Sequence, residues 1–107
     1  MNGRVVAEVS IVPVGTAEAS ISQYVAASIE VLEDRKDLIY RLTPMGTVIE
    51  GPLNKVLEAI QAMHEIPFAK GALRVVTNIK IDDRRDKPST MSSKLQSVLK
   101  LHPSIKT

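Results

Sequence analysis

The groups in this chain that could do chemistry are a run of carboxylates, two histidines and a scatter of hydroxyls, and few of them have a partner at a working distance in the sequence. Asp82 and Asp83 are adjacent, and paired carboxylates can hold a magnesium ion or share acid–base work. Successive side chains of a strand point to opposite faces, however, so these two diverge if the strand before them continues. The stretch Asp82-Asp83-Arg84-Arg85-Asp86-Lys87 mixes signs at close range, the pattern of ion pairs at a surface or subunit contact. His64 and His102 are far apart with no neighbour at metal spacing, and they read as a packing residue and a solvent residue. There is no Gly-x-Ser-x-Gly elbow, and Gly15-Thr16 lacks the further glycines and the lysine of a phosphate loop. The absence of cysteine excludes disulfides, thiolate nucleophiles and cysteine-based zinc sites. No catalytic residue, metal site or cofactor is expected, so the chain reads as a non-enzyme.

The elements that must position any site fit one domain spanning residues 1–107, with a core over about 4–86 and a C-terminal helix over about 90–101. A net charge of +2 is too small to imply nucleic acid. Tyr24, Tyr40 and Phe68 are the sole aromatics, too few for a sheet that stacks RNA bases. No apolar run reaches the length of a membrane span, and Met1-Asn2-Gly3-Arg4 leads straight into a strand pattern rather than a signal peptide. These features predict a cytoplasmic protein without nucleic-acid or membrane partners.

Residues 4–12 alternate, with Val5, Ala7, Val9 and Ile11 on one face and Val6, Glu8, Ser10 and Val12 on the other. Pro13 and Gly15 are expected to end this strand. Ser20-x-x-Gln23 has the form of a capping box, and Ile21, Val25, Ile29 and Leu32 recur at helical spacing. Residues 38–43 and 47–50 read as a hairpin around Thr43-Pro44-Met45-Gly46, which suits a type I turn. Pro52 opens a second helix with Leu53, Val56, Leu57, Ile60, Met63 and His64 on its buried stripe. Pro67 is expected to kink or end it, since it removes a bond to the Met63 carbonyl. Residues 73–81 alternate again, and Thr90 caps a last helix carrying Met91, Leu95, Val98 and Leu99 on one side, with Pro103 ending it.

The order β-α-β-β-α-β plus a C-terminal helix packs most economically as an α+β ferredoxin-like sandwich, an antiparallel sheet of order 4-1-3-2 with two helices on one face. The helices are expected to cover the face of Val5, Val9, Ile79 and Ile81. The other face, with Val6, Glu8, Ser10, Val12, Val76, Asn78 and Lys80, is half apolar, and something must shelter it: another subunit, the C-terminal helix, or a ligand. One end of the sandwich gathers residues 13–22, the hairpin 43–47 and the neighbourhood of Phe68.

Three strings resemble the YkoF-like thiamine-binding domain family: Val9-x-x-Val12-Pro13-x-Gly15 with Ser20-x-Ser22-x-Tyr24-Val25; Leu42-Thr43-Pro44-Met45-Gly46-Thr47-x-x-Glu50-Gly51; and Arg74-Val75-Val76-Thr77-x-Ile79-Lys80-Ile81-Asp82-Asp83-Arg84-Arg85-Asp86. The resemblance covers the chain from about Val5 to about Leu99. It implies a ferredoxin-like fold, assembly into dimers and tetramers (a dimer of dimers), and binding of thiamine or its hydroxymethylpyrimidine part without catalysis. The alternative is a structural or regulatory assembly module with no small ligand, in which the open sheet face is purely a subunit interface.

Thiamine joins an aminopyrimidine to a thiazolium cation, so its pocket needs a few hydroxyl or amide partners, an apolar wall and negative potential. On that expectation the ligand set is Ser20, Ser22, Thr43, Met45 and Thr47 at the gathered end, with Ser10, Asn78 and the charge of Glu8 from the open sheet face. The competing reading makes Ser20 a helix cap and Thr43-Pro44-Met45-Gly46 simply a turn.

Overall fold

The computed structural model describes residues 3–17 and 21–107. Its elements are β1 (Arg4–Val14), α1 (Ser22–Glu33), β2 (Ile39–Thr43), β3 (Gly46–Pro52), α2 (Leu53–Ala69), β4 (Arg74–Asp82) and α3 (Met91–Leu101). The strands form one antiparallel sheet in the order β2-β3-β1-β4, as the pattern of elements predicts.

Alternation along β1 sends Val5, Ala7 and Val9 beneath the helices, where they meet Ile49 of β3, Leu32 of α1 and Val56, Ala59, Ile60 and Met63 of α2. Burying each of the larger side chains contributes roughly 1.5–3 kcal/mol, and this layer is the main stabilising element of the domain. Gly51 lets β3 pass close to the chain entering β2: a Cβ there would collide with the Leu38 side chain.

Four local expectations need correcting. Pro13 does not end β1, which continues to Val14 paired with β4. The Val9 carbonyl faces β3, lying 2.9 Å from where a Gly46 Cβ would stand. Every second residue shares that direction, so the Pro13 nitrogen points to the same edge, beyond the last β1–β3 pair Val9↔Thr47. No ladder bond is lost there, which is where a strand tolerates proline. Second, α1 begins at Ser22 with Ile21 in the cap position and no side-chain cap; Ser20, on which the expected capping box rests, lies outside the described residues.

Third, Pro67 does not itself end α2: it is buried within the helix, which runs on two residues to Ala69. The Met63 carbonyl that Pro67 leaves without a backbone donor accepts instead from the Ser28 hydroxyl of α1 at 3.5 Å, and Ala72 N–H closes the helix end on the Pro67 carbonyl at 3.0 Å. Fourth, the helix-side face is not covered across its whole width. Ile79 and Ile81 stand opposite Val9 and Ala7, yet they remain 46% and 40% exposed: α2 meets β4 at Thr77 through His64, and this part of the strand stays open. Leu57, on the flank of α2, is exposed as well.

On the other face α3 is tied down at its N-terminus. Thr90 and Ser93 form a reciprocal capping box, with Ser93 N–H donating to Thr90 Oγ1 at 3.0 Å and Thr90 N–H to Ser93 Oγ at 2.8 Å. The buried Glu50 carboxylate accepts from Met91 N–H at 2.9 Å and pairs with Arg4 at 3.2 Å. Lys94 pairs with Asp82. Only the Val6–Glu50 end of this face is sheltered, and Val12, Val14 and Val76 stay partly exposed, as do Leu95 and Val98 of α3. The charged run after β4 forms local ion pairs, Arg85 with Asp83 at 2.7 Å and Arg84 with Asp86 at 2.6 Å. The Arg84 guanidinium lowers the Asp86 carboxyl to about 2.

Candidate ligand-binding site

The β1 strand outruns its partner. Past the pair Val9↔Thr47 the chain of β3 turns back through Pro44-Met45 into β2, while β1 continues for another five residues to Val14. That mismatch leaves a gap between the hairpin tip and the edge of β1, roofed by α1. The gap is a cavity of about 700 Å³, within the range of pockets that take drug-sized molecules.

Three walls close it. The face of α1 carrying Ser22, Ala26, Ile29, Glu30 and Glu33 forms one, at the spacing of a single helical stripe. The hairpin Leu42–Thr47 forms another, and Val9, Ile11 and Met63 make the floor. Ile11 shares the direction of the Val9 carbonyl along β1, so its amide and carbonyl face the gap beyond the end of β3. The cavity also explains why Ile21, Val25 and Ile29, periodic enough to read as core, are only half-buried: they border a void rather than packed side chains.

Thr47 carries the strongest chemical signal. Its alternation on β3 with Ile49 points it to the helix side, opposite Val9, and it is 5% exposed. Buried hydroxyls nearly always have a hydrogen-bond partner. Among the described residues none bonds the Thr47 side chain, and its oxygen is not sealed, so the opening it has is the cavity. Leu42 and Met45 stand at the mouth 55% and 83% exposed, an apolar rim. The Thr43 hydroxyl is committed to the turn: it donates to the Gly46 carbonyl at 2.8 Å and accepts from Met45 N–H at 3.4 Å.

Of the eight residues expected to form the site, the structure gathers Ser10, Ser22, Thr43, Met45 and Thr47 around this cavity. Ser10 does so through its backbone, since its side chain lies on the open face beside Asn78. Glu8 and Asn78 are on that opposite face, Glu8 directly across from Lys80, and do not reach the cavity. Ser20 lies outside the described residues. Sequence reasoning missed the α1 wall with Glu30 and Glu33. Their spacing from Ser22 and Ala26 marks a common face, but only the hairpin's position shows that this face looks into a pocket.

His64 takes no part. Its Nδ1 lies 2.6 Å from Thr77 Oγ1 and its ring meets Phe68 edge-on at 5.6 Å, a packed position between α2 and β4.

The fold and this opening define the class: a ferredoxin-like α+β domain with a cavity between its first helix and its hairpin. Comparison with known proteins places it further. The family model described as "Thiamine-binding protein" matches residues 7–99, and the chain belongs to that family. It is 51% identical over 98 residues to the UPF0045 protein YqgV of Bacillus subtilis, covering 89% of this chain and 94% of that one. The crystal structure of the hypothetical protein MJ1052 of Methanocaldococcus jannaschii superposes with a TM-score of 0.81 at 43% identity, covering 90% of this chain and 96% of the other. A Thermotoga maritima protein described as a candidate for thiamine biosynthesis or salvage shares the fold at 18% identity, with a TM-score of 0.72 over 89% of this chain and 98% of its own.

Proposed function

We propose that the chain is a non-catalytic cytoplasmic binder of thiamine or a related hydroxymethylpyrimidine, and that the ligand sits in the cavity between α1 and the β2–β3 hairpin. The observation that carries this reading is Thr47, a buried residue whose hydroxyl has no partner among the described residues and opens onto a pocket of about 700 Å³. An aminopyrimidine offers ring nitrogens and an exocyclic amine. Thr47 and the Ile11 backbone supply matching donors and acceptors, and Met45 and Leu42 an apolar wall for the flat ring. Membership of a thiamine-binding family supports the choice of ligand. Ser22, Ser10 and Thr43 border the same space, Thr43 by bracing the turn that holds Thr47 in place.

Calorimetric titration with thiamine and with free hydroxymethylpyrimidine tests the proposal. Saturable binding of either, lost when the hairpin wall is altered, is the expected result; no heat and no thermal shift with both would discard it. The partly covered sheet face with Val12, Val14 and Val76 supports the further reading, implied by the family resemblance, that the protein works as a homo-oligomer. Were the cavity to take no ligand, that assembly role would be what remained of the function.

A further inference from the structure

The lining of the cavity is one-sided in charge. Among the described residues it holds two carboxylates, Glu30 and Glu33, and no lysine, arginine or histidine. Both belong to the last turns of α1, whose final turn carries no basic residue. The negative end of the helix dipole therefore adds to the two carboxylates instead of opposing them. Neither carboxylate is ion-paired among the described residues: Arg35, the nearest basic residue along the chain, is engaged with Glu58 at 3.6 Å. Arg41 shares its sheet face with Val48 and Glu8, away from the cavity.

We infer that this site discriminates by charge, with Glu30 and Glu33 as the specificity-determining residues: it accepts cationic or neutral heterocycles and rejects their phosphate esters. The inference rests on the cavity being the ligand site. A bound cation lies toward the C-terminal end of α1, within reach of both carboxylates. A phosphate or diphosphate there meets two like charges and no cationic group to neutralise it, and like-charge juxtaposition is a strong negative selector. Because the carboxylates are at a solvent-facing rim, their effect is screened by salt. The neutral pyrimidine alone has no charge for them to read, so its affinity is independent of them.

The test compares the wild-type chain with Glu30→Gln, Glu33→Gln and the double variant by calorimetry against thiamine, thiamine diphosphate and free hydroxymethylpyrimidine, at low and high salt. These exposed glutamates leave the core untouched, so folding is retained. The wild type should bind thiamine at least about tenfold more tightly than its diphosphate, roughly the effect of 1.4 kcal/mol of differential charge interaction. In the double variant that ratio should collapse toward one, with thiamine weakened, the pyrimidine unchanged and the salt dependence of thiamine binding gone. A preference for the diphosphate, or an unchanged ratio in the double variant while thiamine and pyrimidine both still bind, overturns the charge selectivity alone. Failure of the wild type to bind any of the three removes the cavity reading and this inference with it.

Discussion

Replacing Thr47 with valine separates the demands of folding from those of binding, because the two should respond in opposite directions. The residue is 5% exposed, and its hydroxyl, which reaches the cavity, has no partner among the described residues. A buried hydroxyl without a hydrogen bond costs about 1–3 kcal/mol relative to one that is bonded. Water entering the cavity recovers part of that penalty in the free protein. Valine keeps the β-branched shape that suits a strand and deletes only the polar atom. The free Thr47→Val protein should therefore be between unchanged and about 1 kcal/mol more stable by urea denaturation. A ligand that bonds the hydroxyl should lose about 1–3 kcal/mol, or roughly 5- to 150-fold in Kd, by calorimetric titration. Destabilisation of the free protein by more than about 1 kcal/mol would mean the hydroxyl holds the fold together. Unaltered affinity for thiamine and pyrimidine would mean no ligand touches it. Either result refutes the reasoning.

Two other perturbations probe the geometry around the cavity and the charged run. Gly46→Ala places a Cβ 2.9 Å from the Val9 carbonyl, a backbone atom that cannot swing aside, so the hairpin must shift off β1. The variant should lose about 1–3 kcal/mol of stability in denaturant unfolding and weaken any cavity ligand as well; wild-type values of both would show the hairpin is free to move. The Asp86 carboxyl, lowered to about 2 by Arg84, should titrate there in a carbon-13 NMR experiment, and Arg84→Ala should return it toward the ordinary carboxylate range. Since the folded value lies below the unfolded one, this pair's contribution is present above the unfolded carboxylate value and disappears as pH falls through about 2. A wild-type midpoint in the ordinary range would show the pair does not persist in solution.

Much of the architecture was legible from periodicity. Alternation in residues 4–12 and 73–81 and helical spacing in Val56, Ile60 and Met63 depend on which side of an element meets water, and that is written locally. The same holds for the Thr90 cap and for the hairpin around Pro44, and these together determine the order of elements and hence the ferredoxin-like sheet. Where a remote neighbour sets the outcome, no local pattern carries it. Pro13 stays in its strand because β3 stops short, and the Met63 carbonyl that Pro67 strands inside α2 is met by Ser28 of another helix. Ile79 and Ile81 stay exposed although their alternation matches that of the buried face of β1.

The cavity belongs to the second group. Ser22, Thr43, Met45 and Thr47 were identifiable as residues at one end of the topology, but Glu8 and Asn78 were drawn into the same site and the structure sets them on the far side of the sheet. Alternation in residues 4–12 and 73–81 marked which side of each strand a residue takes. Only the assembled fold determined that α1 roofs a gap left by strands of unequal length, because a void is the distance between elements far apart in the chain, and no local pattern records that distance.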